Sequence, residues 1–62
     1  YITFDDGELR LYAKENPKAF LKNLELPICI DEIQKVPTIL EYIKIQIDTN
    51  RKNGSFLLLL HQ

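Results

Sequence analysis

The chain has 62 residues, of which 45% are apolar and 27% charged, and its nine acidic and eight basic side chains give a net charge of −1. A chain this short buries only about 60% of the surface its unfolded form exposes, so any core is small, yet the composition is far from that of a disordered segment. Near-neutral, evenly mixed charge gives no field for nucleic acid, no apolar run approaches the roughly 20 residues of a membrane helix, and no signal-peptide pattern is present. The expectation is a soluble, cytoplasmic protein with no membrane partner and no direct sequence evidence for nucleic-acid binding.

The chain contains no methionine, so Tyr1 is not a natural translation start and a piece of something longer is expected. Residues 1–4, Tyr-Ile-Thr-Phe, read as a strand, and Asp5-Asp6-Gly7 breaks it. Asp5 with Glu8 fits a capping box, and a short helix over about 7–14 carries Leu9, Leu11 and Tyr12. Asn16-Pro17 restarts the chain, with Asn as a cap and Pro where its missing N–H costs nothing. Ala19, Phe20, Leu21 and Leu24 then form the apolar face of a second helix over about 17–24.

Pro27 ends that segment, and Ile28-Cys29-Ile30 is an apolar triplet suited to a central strand covered on both faces. Cys29, the single cysteine, has no disulfide partner and no zinc-ligand neighbour, so a buried, reduced thiol is expected. After Pro37 the periodicities conflict. Ile39, Leu40, Ile43 and Ile47 share a helical face, whereas Ile43, Ile45 and Ile47 alternate with polar residues as a half-buried strand would. The distance from Pro37 to Gly54 favours a helix and the local propensity a strand. Phe56 to Leu60 reads as another doubly covered strand. Strands separated by helical crossovers imply an α/β fold with a parallel sheet.

Asp31 and Glu32 follow the central triplet directly. They have two readings. Asp31 can cap a helix, with Gln34 completing a capping box, and nothing catalytic is then required. Alternatively PICIDE is a Walker-B element: an acid at the carboxyl end of a buried strand, where ligands of open α/β sheets bind, holds the magnesium of a nucleotide, and a following Glu takes a proton from water. Adjacent strand residues point to opposite faces, so both carboxylates can serve one nucleotide only if the backbone turns at the strand's end.

Taken together, residues 1–10 (YITFDDGELR), Asn16-Pro17 with Phe20-Leu21, the segment IDEIQKVP over 30–37, and Asn50-Arg51-Lys52 ahead of Gly54-Ser55-Phe56-Leu57-Leu58 resemble a family of prokaryotic AAA-type ATPases. In that family an amino-terminal ATPase domain precedes a carboxyl-terminal domain of unknown function. The resemblance covers essentially the whole chain, with DEIQKVP its most specific part. It implies a partial P-loop NTPase domain over 1–62, a three-layer fold with a three-stranded parallel sheet and helical crossovers. Its parts would be a strand at 1–4, helices at about 7–14 and 17–24, a Walker-B strand at 27–31, a helix at about 37–51 and a strand at 55–60.

By the same resemblance Asp31 would contact magnesium and Glu32 would polarise the attacking water. ATP and Mg²⁺ would be the parent's ligands, and the piece alone would bind neither and be inactive, because G-x-x-x-x-G-K-[ST] is absent from these residues. The partner implied is the upstream P-loop segment. Family members usually close the last strand with Leu-Leu-Thr-Gly-Ser-Gln, whereas this chain has Leu58-Leu59-Leu60-His61-Gln62, which puts the sensor of the γ-phosphate in doubt. The middle strand would be 28–30 and the last strand would form an apolar open edge, a template for self-association. The rival reading is a non-catalytic, self-associating interaction module or a degenerate remnant.

Overall fold

The computed structural model describes residues 1–50 and 56–60. In chain order it consists of β1 (Ile2–Thr3), α1 (Gly7–Glu15), α2 (Pro17–Lys22), β2 (Ile28–Asp31), a single 3₁₀ turn (Ile33–Lys35), α3 (Pro37–Asn50) and β3 (Phe56–Leu58). The strands form one sheet in the order β1-β2-β3, with both pairings parallel. Ile2 and Thr3 lie opposite Ile30 and Asp31, and Ile28, Cys29 and Ile30 lie opposite Phe56, Leu57 and Leu58.

Each crossover moves one strand along the sheet in the same direction, and right-handed crossovers that step the same way deposit their helices on the same face. The core agrees. Phe4 and Ile30 from the strands cluster with Ala13, Phe20 and Leu21 from α1 and α2, and with Ile33, Val36, Ile39 and Ile43 from the turn and α3. Phe20 packs its ring against Phe4 at 5.6 Å and meets Tyr12 edge-on at 5.8 Å, geometries that add to plain area burial.

The described residues therefore supply two of the three layers expected. The residues of the sheet that alternate with the core-facing ones, Thr3, Cys29 and Leu57, lie on its other face, where Leu57 is 59% exposed; Tyr1, just ahead of β1, is 76% exposed. Cys29 is a free thiol, half-buried rather than buried as the apolar triplet suggested, because no helix among the described residues covers its side of β2.

Helix α1 corrects a detail of capping. The N-cap is Asp6, whose Oδ1 accepts from the N–H groups of Glu8 at 3.0 Å and Leu9 at 3.2 Å, a contact worth about 1 kcal/mol. Asp5, the expected cap, instead pairs with Lys35. The chain leaves β1 through a tight turn in which the Asp6 N–H reaches the Thr3 carbonyl, which carries the cap one residue further on.

Residues 37–50 are one helix. Its buried face is narrow, Ile39 and Ile43, while Ile45 is 61% exposed and Ile47 is also exposed. The strand-like alternation of 42–48 thus combines the buried Ile43 with Ile45 and Ile47, which look outward. Gly54, as a helix cap, and His61, as a substitute sensor, lie outside the described residues.

Candidate functional site

The carboxyl tip of β2, the middle strand, is built around one irregularity. The Phe4 N–H donates to the Asp31 carbonyl at 3.1 Å, holding the tip against the end of β1. On the other side the Leu59 N–H donates to the Ile30 carbonyl at 2.9 Å, and the Leu59 carbonyl accepts from the Ile33 N–H at 3.0 Å. A regular parallel ladder would offer that carbonyl the N–H of Glu32, one residue earlier. Glu32 is therefore an extra residue, a bulge, with φ 57° and ψ 42°. Its N–H turns onto Asp31 Oδ1 at 2.8 Å, and its carbonyl accepts from the Lys35 N–H to open the 3₁₀ turn.

This is the backbone turn that two neighbouring carboxylates need in order to escape strand alternation. A glutamate in the left-handed region is uncommon, and such strain gathers at functional sites. The helix-capping box considered for Asp31 and Gln34 does not form. Asp31 caps the bulge instead, and Gln34 donates from Nε2 to Glu32 Oε1 at 2.7 Å.

Around the tip the partners are polar. The Tyr1 hydroxyl donates to Asp31 Oδ2 at 2.6 Å, so each oxygen of Asp31 accepts a hydrogen bond. That bond, helped by desolvation and by the charge of Asp31, pushes the Tyr1 phenol up from 10.0 to about 12. Lys35 Nζ lies 2.6 Å from Asp5 Oδ1, tying the 3₁₀ turn to the end of β1, and Arg10 Nη1 donates to the Phe4 carbonyl at 2.8 Å.

Both acids singled out in the sequence thus stand together at one strand tip. The contacts of Tyr1 and Lys35 were not legible, because each bridges 30 residues of sequence and neither residue type carries a local signal. Gln34 stands in the sequence pattern, but its spacing from Asp31 suggests a cap and gives no sign of the contact with Glu32.

The donor set tests which cation would suit the tip. Among the described residues no three His, Cys, Asp or Glu side chains converge as a metal cage. Magnesium is bound through one or two carboxylates while waters and phosphate oxygens complete its shell, so the hard oxygens of Asp31 fit it. A groove lies elsewhere among the described residues. It runs between α2 and α3, has a volume of about 590 Å³, and is lined by Leu21, Leu24, Leu26, Tyr42 and Ile45 among others, but by neither acid. Among the described residues no helix is long and apolar enough to cross a membrane.

A family model described as an AAA domain matches residues 1–59. No curated protein and no solved structure matches the chain.

Proposed function

The chain belongs to the AAA domain family, and on that premise we propose that the tip of β2 is the Walker-B half of an ATP-hydrolysing site. It would act with a phosphate-binding loop, since the 62 residues contain no G-x-x-x-x-G-K-[ST] of their own. The observation that carries this reading is the bulge. Asp31 and Glu32 lie side by side at the end of the middle strand of a parallel sheet, and the second of them has left-handed backbone geometry.

In this reading Asp31 would hold a magnesium ion, with Tyr1 and the Glu32 N–H fixing the direction in which its carboxylate points. Bound there, the ion supplies positive charge to the β- and γ-phosphates as the terminal bond breaks. Glu32 accepts a proton from the attacking water, and Gln34 holds one of its oxygens. Position 59 has no polar side chain, and its backbone N–H and carbonyl are engaged by Ile30 and Ile33, so sensing of the γ-phosphate would fall to a group other than the Leu59 side chain.

The test is Glu32→Gln in a protein that carries this chain together with a phosphate-binding loop. Turnover should fall at least about 100-fold, in the range of a lost general base, while nucleotide still binds. Unchanged turnover would rule the reading out.

A second reading, self-association without catalysis, is favoured by a different observation. β3 lies at the edge of the described sheet, with Leu57 and Leu60 exposed beside it. An apolar edge invites another strand. Size-exclusion elution that shifts with protein concentration supports this reading, and a concentration-independent monomer counts against it.

A further inference from the structure

Gln34 presents a contradiction within one amide group. Its Nε2 donates to Glu32 Oε1 at 2.7 Å, yet its own Oε1 is buried and has no hydrogen-bond partner among the described residues. Exchanging the two atoms does not resolve it. A carboxylate only accepts, so an amide oxygen turned toward Glu32 would meet like charge, and the NH₂ must face that way. A buried acceptor without a donor lowers stability, and a thioether of the same length would fill the space without that loss. What an amide brings here, and methionine does not, is the N–H toward Glu32. Glu32 sits in left-handed backbone at the end of a strand.

We propose that Gln34 is a positioning residue for Glu32: its side-chain N–H holds the carboxylate in the orientation from which it takes a proton from water. This rests on the Walker-B reading and adds to it a residue that touches neither nucleotide nor water. Its cost to the fold and its benefit to the chemistry then have opposite signs, which makes the role testable.

The experiment uses a protein that carries this chain with a phosphate-binding loop, and compares Gln34→Met, Glu32→Gln and the double variant. For Gln34→Met, kcat should fall about tenfold, the effect of one lost hydrogen bond to a reacting group, with KM for MgATP unchanged and the melting temperature unchanged or higher. The double variant should be no slower than Glu32→Gln alone, because Gln34 acts only through Glu32.

If Glu32→Gln leaves turnover intact, the Walker-B reading fails and the role of Gln34 with it. If Glu32→Gln abolishes turnover while Gln34→Met keeps the parent kcat, the positioning role alone fails. A melting temperature that falls together with kcat and rises in KM would make Gln34 a structural residue and overturn the proposal. Should Gln34→Met not fold, the side-chain amide resonances of Gln34 in the parent decide. Glu32→Ala should move them and speed their hydrogen exchange, and resonances indifferent to that change would overturn the proposal.

Discussion

Replacing Glu32 by glycine and by alanine separates backbone from side chain at the bulge. Both substitutions remove the carboxylate and the bond from Gln34, so those losses cancel when the two variants are compared with each other. What differs is the Cβ atom. At φ 57° a Cβ crowds the following carbonyl, at a cost of about 1–2 kcal/mol. Glycine escapes that but loses more backbone freedom on folding, about 0.5–1 kcal/mol relative to alanine. The net expectation is that Glu32→Gly is the more stable of the two by about 1 kcal/mol, or some 4–8 °C in a domain of this size. In a regular strand or helix the order would be reversed. Thermal or urea unfolding followed by far-ultraviolet circular dichroism measures the difference. An alanine variant as stable as the glycine variant, or more so, would show that position 32 is not left-handed and would remove the bulge on which the site depends.

Ile30 is completely buried, so Ile30→Ala should cost about 2–5 kcal/mol; a 62-residue chain has on the order of 3–9 kcal/mol in all, and loss of cooperative unfolding at 37 °C is the expected observation. Lys35→Ala breaks an ion pair whose side chains are 39% and 62% exposed, so it should cost less than about 1 kcal/mol, and less still in 1 M salt, as denaturation midpoints would report. The Tyr1 contact to Asp31 stabilises the fold only while the phenol keeps its proton. Because the folded phenol is raised from 10.0 to about 12, this contribution is complete below pH 10 and is lost as pH rises through about 12. Ultraviolet titration should show Tyr1 ionising near pH 12, and Asp31→Ala should move that step to lower pH.

Much of the fold was legible because apolar runs and breakers state it locally. Pro17, Pro37 and the triplet 28–30 mark two helix starts and the middle strand. Ambiguity entered where burial departs from composition. In 42–48 the isoleucines fit two periods, and only packing into the common core decides that Ile43 is inside while Ile45 is not. Asp5 and Asp6 are equivalent as sequence signals; the tight turn on Thr3 decides between them.

The acids of the site were readable from their place after an apolar strand. The bulge was not, since glutamate is a poor marker of left-handed backbone and nothing in Asp-Glu-Ile announces an extra residue. The direction in which a ladder hydrogen bond skips from Glu32 to Ile33 depends on Leu59, a partner far along the chain.

The hydrogen bond from the Glu32 N–H to Asp31 gives the two acids unequal histories to expect. Asp31 closes a backbone donor that would otherwise be stranded, so natural selection for folding alone would retain an aspartate or asparagine there with or without hydrolysis. Glu32 enjoys no such protection, for its conformation is one that glycine or asparagine adopts more readily. In lineages descended from this chain, erosion of the second acid toward those residues, with the first one intact, would be the mark of a domain kept for its shape and no longer for its chemistry.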